Sequence, residues 1–292
     1  MLVKFAVIGG NASRDLAKRI ARRLKATYVE TQTKIFPDGE SMITFGRIPK
    51  KSAVIVVQST YPPVDTNLLQ ALSIISEARK SSSKVYAVIP YMGYARQDKQ
   101  FLSGEIITMS IVAKMIKMAG AKKVIFVDIH SKTGLNHFKI TKENVSAIPE
   151  LAKYFKKMKL TNPLVVSPDL GGSLRAKKFA GVLNTDFIAL KKSRDRNTGK
   201  VQIHSSKADV RGRDLIVVDD IISTGGSIVK ATQFLKRQKC KRVLVACTHG
   251  LFIGDAIRKM KNAGVSQIIS TNTIPRSTSK VDVSGVIVES IQ

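Results

Sequence analysis

Two adjacent carboxylates stand at the end of an apolar run, directly before a turn built from hydroxyl and glycine residues. The carboxylates belong to Asp219 and Asp220. The turn consists of Ser223, Thr224, Gly225, Gly226 and Ser227. Glycines let backbone N–H groups close around an anion at a helix N-terminus. Carboxylates disfavour phosphate and suit sugar hydroxyls or a bridging cation, so the pattern indicates a phosphorylated sugar. An ordinary strand–turn–helix corner would explain the glycines but not the paired acids.

The elements that must position this turn follow from hydrophobic periodicity. Residues 215–218 predict a buried strand and 228–235 a helix. A similar unit occurs twice along the chain. The strand-like runs 6–10, 53–58 and 84–90 recur at 164–168, 214–219 and 242–248. The helix-like segments 13–24 and 173–183 follow the first strand of each copy, and the first copy carries extra residues near 96–105. Alternating strands and helices predict an α/β fold with mostly parallel sheets, whose ligands bind at the carboxyl ends of strands.

Four further segments place polar side chains after strands or in turns. They are Phe36-Pro37-Asp38-Gly39-Glu40, then Arg96-Gln97-Asp98-Lys99, then Asp128 with His130, and finally Asp169 with Gly171 and Gly172. Each has a plain alternative: a surface turn, a solvated helix start, a hydrogen-bonded core histidine and a helix cap. Residues two apart in a strand point to the same side, so Asp128 and His130 suit a pair of ligands. Together the four segments favour a binding site.

Taken in order, these motifs resemble those of the ribose-phosphate diphosphokinases, also called phosphoribosyl-diphosphate synthetases. The resemblance covers essentially the whole chain and is closest to archaeal members. It implies two duplicated phosphoribosyltransferase-like domains. The first would span 1–145 with 284–292 and bind ATP; the second would span 146–283 and bind ribose 5-phosphate. A last strand at 285–290 would return to the first domain.

The resemblance also implies a role for each motif. Phe36, Asp38, Gly39 and Glu40 would surround adenine, from the same or a neighbouring subunit. Arg96, Gln97, Asp98 and Lys99 would hold the base and phosphates of ATP. His130 and Asp169 would bind magnesium, with Asp128 in support. Asp219 and Asp220 would hold the ribose hydroxyls, and residues 223–227 the 5-phosphate. Lys192 and Arg194, with His130, would be catalytic, and Arg194 would also contact the sugar phosphate. The expected reaction transfers the diphosphoryl group of Mg-ATP to the 1-hydroxyl of ribose 5-phosphate, leaving AMP.

Composition and charge indicate which partners and which cellular location to expect. The 292 residues carry a formal charge of +28, yet the lysines are spread out and no aromatic-interleaved basic motif accompanies them. We therefore expect no specific nucleic-acid partner. No apolar stretch is long enough to span a bilayer, and the two cysteines have no zinc-type spacing, so a cytoplasmic protein with buried thiols is expected.

The oligomeric state is a separate expectation. The 136–138 segment, which lies at subunit contacts in relatives, departs from their pattern, and this favours a homodimer or homotetramer over a hexamer.

Two other classes remain in competition. A phosphoribosyltransferase that consumes phosphoribosyl diphosphate needs one such domain only, and would leave Phe36–Glu40 and Arg96–Lys99 without a role. A non-catalytic relative would be expected to have lost Lys192, Arg194, His130 or the acid pair, and all of them are present. Both alternatives are therefore disfavoured.

Overall fold

The computed structural model describes residues 4–194, 201–204 and 209–292, and describes only the backbone at 192–194 and 201–204. The chain divides into two compact units. Unit 1 comprises Met1–Ser146, Thr273–Pro275 and Asp282–Gln292, and unit 2 comprises Ala147–Asn272 and Arg276–Val281. The bounds that the resemblance implies for an ATP-binding domain and a ribose 5-phosphate-binding domain stay a prediction. None of the helices in the described part of the chain is both long and apolar enough to cross a membrane.

Unit 1 is built on a six-stranded parallel sheet. Its strands are β1 (Phe5–Gly9), β2 (Thr27–Val29), β5 (Ala53–Val57), β6 (Val85–Ile89), β7 (Lys123–Val127) and β8 (Thr141–Val145). Strands β3 (Thr31–Ile35) and β4 (Ser41–Phe45) form a separate antiparallel hairpin. The helices are α1 (Arg14–Leu24), α2 (Val64–Ser81), α3 (Thr108–Met118) and the C-terminal α8 (Ser284–Ile291). Short 3-10 helices lie at Asn11–Ser13 and Thr133–His137. The strand order is β2-β1-β5-β6-β7-β8.

Unit 2 repeats this plan. Its strands are β9 (Leu164–Ser167), β10 (Phe187–Ala189), β13 (Asp214–Ile222), β14 (Arg242–Gly250), β15 (Val265–Thr271) and β16 (Ser279–Val281), in the order β10-β9-β13-β14-β15-β16. Strands β11 (Lys191–Arg194) and β12 (Val201–His204) form its hairpin. The helices are α4 (Ile148–Lys156), α5 (Ser173–Leu183), α6 (Gly226–Arg237) and α7 (Ala256–Asn262).

The duplication predicted from the sequence is confirmed by this topology. Both sheets are parallel, their strands occur in the same order, and each unit inserts a two-stranded hairpin after its second strand. The extra residues of the first copy form the connection 90–107, where unit 2 needs only 251–255. The predicted α/β class with two similar units is therefore correct.

Helices cover both faces of each sheet. In unit 1, α2 and α3 pack on one face, and α1 and α8 pack against each other on the other. In unit 2, α6 and α7 cover one face, and α4 and α5 the other. All five residues of β5 are buried, as expected for a parallel strand covered on both sides. Both cysteines, Cys240 and Cys247, are buried thiols, as predicted.

The predicted strand at 285–290 is wrong, because this segment belongs to the helix α8. Ile287, Val288 and Ile291 are buried along one side of the helix, next to α1. Lys123 and Ser290 further join α8 to the sheet, since the Lys123 ammonium donates to the Ser290 carbonyl at 2.6 Å. A short run of β-branched residues cannot be assigned to strand or helix by periodicity alone.

Candidate functional site

The carboxylates of Asp219 and Asp220 lie near the end of β13 and share one cation. Arg175, in the first turn of α5, places Nη1 3.1 Å from Asp219 Oδ1 and Nη2 3.1 Å from Asp220 Oδ2. Adjacent strand residues normally point to opposite faces, yet one guanidinium reaches both acids. Each carboxylate also accepts a backbone N–H: Asp220 N–H donates to Asp219 at 2.9 Å, and Ile221 N–H to Asp220 at 2.9 Å. The two acids are therefore held as a rigid pair.

The acid pair has an unusual protonation equilibrium. Burial raises the pKa of Asp219 to about 7, and the neighbouring charge of Asp220 adds to the increase against the opposing effect of Arg175. Burial, together with the charges of Asp219 and Asp220, also raises the pKa of the Cys247 thiol well above its ordinary value. Asp219 and Cys247 are paired residues of β13 and β14. Near neutral pH, a proton is thus exchanged at Asp219 while Cys247 stays a thiol.

The predicted phosphate turn has the geometry of an anion site. Gly225 precedes α6 with φ +76°, where a Cβ would also lie 3.2 Å from the Met260 side chain. A Cβ at Gly226 would meet no heavy atom within 4 Å among the described residues, so space is open above the helix N-terminus. Thr224 and Ser227 are exposed there. Unsatisfied N–H groups and the helix dipole favour an anion at such a point.

In unit 1, Gln58 stands at the strand position equivalent to that of Asp219. At the end of β5, the buried Gln58 side chain accepts the Ala12 N–H at 3.0 Å and donates to Asn67 Oδ1 at 3.2 Å and to Gln70 Oε1 at 3.4 Å. A Cβ on Gly10 would lie 2.3 Å from Gln58 Oε1. Unit 1 therefore has a buried amide network at the strand end where unit 2 has its acid pair.

Asp169 lies in the turn between β9 and α5. Its carboxylate accepts the Gly172 N–H at 3.2 Å, and the Ser167 hydroxyl donates to the Asp169 carbonyl at 2.6 Å. Gly172 is itself the N-cap of α5 and no side chain among the described residues caps this helix, so the bond from Gly172 to Asp169 belongs to the turn and the helix-cap alternative is wrong. Asp169 is nevertheless only partly buried, so its carboxylate stays accessible. The turn and the acid pair both approach Arg175, because a Cβ at Gly172 would lie 3.0 Å from its Nη1.

In unit 1, the segment Arg96–Lys99 is joined to the loop after β7 through Asp98. The buried Asp98 carboxylate accepts hydrogen bonds from the hydroxyls of Ser131 and Thr133, the latter at 2.8 Å, and His137 Nε2 lies 2.8 Å from the Asp98 carbonyl. Burial opposes ionisation, but the Ser131 and Thr133 hydrogen bonds lower the pKa of Asp98 below its ordinary value. Arg96, Gln97 and Lys99 are exposed. Asp98 thus anchors a loop whose other polar side chains face solvent.

The expectation that Asp128 and His130 share one side of a strand is wrong. Strand β7 ends at Val127, and Asp128 has φ +38°, so the chain turns before His130. The Ser146 hydroxyl donates to Asp128 at 2.8 Å, and His130 is exposed. The strand interpretation failed because a left-handed residue changes side-chain direction without any glycine to signal it. His130 and the anchored Ser131 remain neighbours at the carboxyl end of the sheet.

Phe36–Glu40 forms the tip of the β3–β4 hairpin. Phe36 N–H donates to the Glu40 carbonyl at 2.8 Å, Glu40 N–H donates to the Asp38 carboxylate at 3.1 Å, and Gly39 has φ +93°. The Lys34 ammonium lies 4.9 Å from the Phe36 ring centroid. Within the described part of unit 1, no hydrogen bond or ion pair joins this tip to Arg96–Lys99. The structure therefore does not bring the two predicted ATP segments into contact.

Lys192 and Arg194 lie on β11, whose backbone pairs Lys192 with Ile203 and Arg194 with Val201 of β12. Their side chains, and the hairpin tip 195–200, lie outside what the structure describes. The predicted flap is therefore a β-hairpin at its base. It occupies the same place in the strand order of unit 2 as the β3–β4 hairpin does in unit 1.

Of the residues predicted to bind magnesium, only some offer the oxygen ligands that this ion prefers. Across the described residues, no group of three or more His, Cys, Asp or Glu side chains could hold a metal by itself. Mg²⁺ is usually bound through one or two carboxylates together with substrate phosphates, and it prefers oxygen. The positioned carboxylate of Asp169 meets this requirement, whereas His130 offers a nitrogen.

Comparison with known proteins finds family models and relatives that match nearly the whole chain. The N-terminal domain of ribose phosphate pyrophosphokinase matches residues 5–120, and the phosphoribosyl transferase domain matches 142–281. A ribose-phosphate pyrophosphokinase of Sulfurisphaera tokodaii is 36% identical over 279 residues, covering 95% of this chain and 96% of its own. That of Sulfolobus acidocaldarius is 38% identical over 283 residues, with the same coverage. The chain belongs to the ribose-phosphate pyrophosphokinase family.

A bacterial relative and a solved structure extend this result. The ribose-phosphate pyrophosphokinase of Pasteurella multocida is 36% identical and covers 97% of this chain and 93% of its own. The crystal structure of phosphoribosylpyrophosphate synthetase from Mycobacterium smegmatis has a TM-score of 0.86 and 26% identity, covering 99% of this chain and 97% of that one. The family explains why two similar units are present, which a phosphoribosyltransferase of one domain does not.

Arg175 is the site residue that sequence reasoning missed. Its partner Asp219 is 44 positions away, so no local motif contains both. One signal was available in the sequence. An arginine in the first turn of a helix opposes the helix dipole, which favours acidic residues there. A basic residue at such a position indicates that a carboxylate from another element holds it.

Proposed function

We propose that this member of the ribose-phosphate pyrophosphokinase family transfers the diphosphoryl group of Mg-ATP to the 1-hydroxyl of ribose 5-phosphate. The products are 5-phosphoribosyl 1-diphosphate and AMP, for use in nucleotide biosynthesis. The observation that carries the proposal is the end of β13, where a fixed pair of carboxylates precedes an open helix N-terminus. A phosphorylated sugar needs both features, one for its hydroxyls and one for its anion.

The ribose 5-phosphate half of the reaction is assigned to unit 2. Backbone N–H groups and hydroxyls of residues 223–227 hold the 5-phosphate. The carboxylates of Asp219 and Asp220 accept hydrogen bonds from ring hydroxyls, which charged acceptors bind more strongly than neutral ones do. With the 5-phosphate and the neighbouring ring hydroxyls held in this way, the 1-hydroxyl is the group left to react.

The nucleotide half is assigned to residues of unit 1. Phe36, Asp38, Gly39 and Glu40 contact the base, and Arg96, Gln97 and Lys99 contact the base and phosphates. We assign Asp98 to positioning, because its carboxylate is buried and already bound by two hydroxyls. Bound Mg²⁺ would neutralise triphosphate charge; Asp169 offers a carboxylate for it, and the resemblance also assigns His130 and, in support, Asp128 to the ion.

The chemistry asks for positioning and charge neutralisation more than for covalent catalysis. The 1-hydroxyl oxygen attacks the β-phosphorus, the bond to the α,β-bridging oxygen breaks, and AMP leaves with that oxygen while the hydroxyl proton is released. Lys192 and Arg194 on the β11–β12 hairpin supply positive charge to the phosphoryl oxygens in the transition state. Closure of this hairpin would exclude water and so limit ATP hydrolysis.

The decisive experiment incubates the chain with ribose 5-phosphate, ATP and MgCl₂ and separates the nucleotides. Formation of AMP in equal amount to phosphoribosyl diphosphate is expected, and omission of ribose 5-phosphate should abolish it. ADP as the product would identify an ordinary kinase and refute the proposal. Chelation of magnesium should stop the reaction.

For assembly we propose a homodimer or homotetramer. In the 136–138 segment, Phe138 is buried and packs edge-to-face on Phe126 with ring centroids 4.9 Å apart, so this side chain serves the core of unit 1. His137 is bound to Asp98. Light scattering after size-exclusion chromatography tests the proposal, and a hexameric mass would contradict it.

A further inference from the structure

Arg175 connects the two parts of unit 2 that the proposed function uses. Its guanidinium contacts Asp219 through one nitrogen and Asp220 through the other, at 3.1 Å each. It also lies over the turn that carries Asp169, where only a glycine at 172 leaves room for it. Its side chain is 21% exposed, so it borders the accessible side of the acid pair.

The way in which Arg175 binds the acids fixes their separation. A guanidinium usually binds one carboxylate with two parallel hydrogen bonds. Here each nitrogen takes a different carboxylate, so the rigid fork sets the distance between Asp219 and Asp220. Backbone N–H groups fix each acid at a second point. The side chain of Asp219 is 20% exposed, so part of this carboxylate is accessible.

We propose that Arg175 is a positioning residue that holds the Asp219–Asp220 pair in the arrangement that receives two adjacent ring hydroxyls of the pentose phosphate. This inference rests on the proposed function for the identity of the sugar. Two acids held at a fixed separation match a vicinal diol, and a sugar lacking one hydroxyl would leave an acid without a donor. Arg175 would thereby set the preference for ribose over 2-deoxyribose without touching the sugar.

The test compares Arg175→Gln with Lys178→Gln. Lys178 lies on the same helix and is exposed, so its variant removes the same charge without touching a carboxylate. We expect Arg175→Gln to raise the KM for ribose 5-phosphate about tenfold, the loss typical of charged hydrogen bonds, with the KM for ATP changed less than about twofold. The preference in kcat/KM for ribose 5-phosphate over 2-deoxyribose 5-phosphate should fall about fivefold or more. Lys178→Gln should resemble the unaltered chain.

Arg175→Lys provides a second variant, whose thermal unfolding is measured beside the others. An ammonium is a point charge and cannot span two acids as the fork does. We therefore expect partial recovery of the KM for ribose 5-phosphate. Full recovery of both KM and sugar preference would show that charge alone suffices and would overturn the proposal. An unchanged KM in Arg175→Gln would also overturn it, as would a lowered one, which would mean that Arg175 competes with the sugar.

Calorimetric titration of ribose 5-phosphate without ATP separates this inference from the proposed function. If the unaltered chain forms no AMP, the proposed function fails, yet weaker sugar binding by Arg175→Gln alone would still support the inference. If the chain is active and Arg175→Gln behaves as Lys178→Gln does, the inference fails alone. Combining Arg175→Gln with Asp219→Asn should cost less than the product of the single effects, because both act on one pair. Multiplicative losses would contradict a role exerted through Asp219.

Discussion

The central strands β5 and β13 occupy the same position in two sheets of identical order, but different structures follow them. A pair of acids lies near the end of β13, and the turn that follows the strand opens above a helix N-terminus. After β5 comes a buried amide network in which Gln58 fills the space beside Gly10. The same strand end therefore carries an acid pair in one unit and a buried amide network in the other.

The hairpins differ in the same way. Each is inserted after the second strand of its unit. The β3–β4 hairpin ends in a compact turn with an aromatic ring and two acids, whereas β11–β12 carries Lys192 and Arg194. Under the proposed function, the first hairpin contacts the nucleobase and the second the phosphoryl oxygens. If the proposed function holds, divergence of two duplicated units at equivalent points provides sites for two different substrates.

The largest expected effect concerns the hairpin of unit 2. Lys192→Ala should lower kcat at least about a hundredfold, because a positive charge directed at the transition state is lost, with little change in the KM for ribose 5-phosphate. Lys191→Ala is the matched control, since neighbouring strand residues face opposite sides. A loss confined to KM, or an equal loss in Lys191→Ala, would remove the distinction between the two hairpins.

The next prediction concerns the buried hydrogen-bond network of Gln58 in unit 1. Gln58→Ala leaves the Ala12 N–H and the amides of Asn67 and Gln70 without this partner. We expect the free energy of unfolding to fall by about 2 kcal/mol, the usual cost of buried unsatisfied groups. The KM for ribose 5-phosphate should stay the same, because the network belongs to unit 1. Urea denaturation beside the exposed control Gln32→Ala measures the change; a loss below about 0.5 kcal/mol would show that the network is not important for packing.

A smaller effect is expected at the open position in unit 2. Gly225→Ala places a Cβ at φ +76° and 3.2 Å from Met260, which should disturb the start of α6 and raise the KM for ribose 5-phosphate about tenfold. Gly212→Ala is the matched control, because Gly212 has φ +69° with open space around it. Similar destabilisation in both variants, with a KM effect only at 225, would locate the phosphate. Equal KM values would place the anion elsewhere.

Sequence reasoning succeeded where signals were local and strong. Apolar runs such as 53–58 and 214–219 gave the strands, and the glycine turn gave the start of α6, because buried parallel strands and helix N-termini have distinct patterns. It failed at Asp128, whose left-handed backbone has no residue signature, and at 285–290, where a short apolar run fits two structures. Arg175 was missed because its role depends on packing between α5 and β13.

The smallest predicted effect tests the protonation of the acid pair. Burial raises the pKa of Asp219 to about 7, so between about pH 4 and 7 the folded chain binds a proton that the unfolded chain has released. The stability that this proton contributes is complete below about pH 4 and is lost as the pH rises through 7. Binding changes in the opposite sense, because sugar hydroxyls donate to the ionised carboxylate and are better held above pH 7.

If ribose 5-phosphate binds only the ionised form of Asp219, its KM should increase about fourfold between pH 8 and 6.5. Among the residues that the structure describes, Asp220, Arg175 and Cys247 face Asp219. Neither Arg175 nor the Cys247 thiol, whose pKa lies well above its ordinary value, changes charge in this range. The sugar phosphate itself titrates near pH 6 and would weaken binding by about 1.3-fold. Asp219→Asn removes the titration of residue 219 and keeps that of the sugar phosphate. The KM of this variant for ribose 5-phosphate should therefore be almost independent of pH. If the KM of Asp219→Asn still depended steeply on pH, the titrating group would be the substrate. The protonation of the acid pair of unit 2 would then not affect sugar binding.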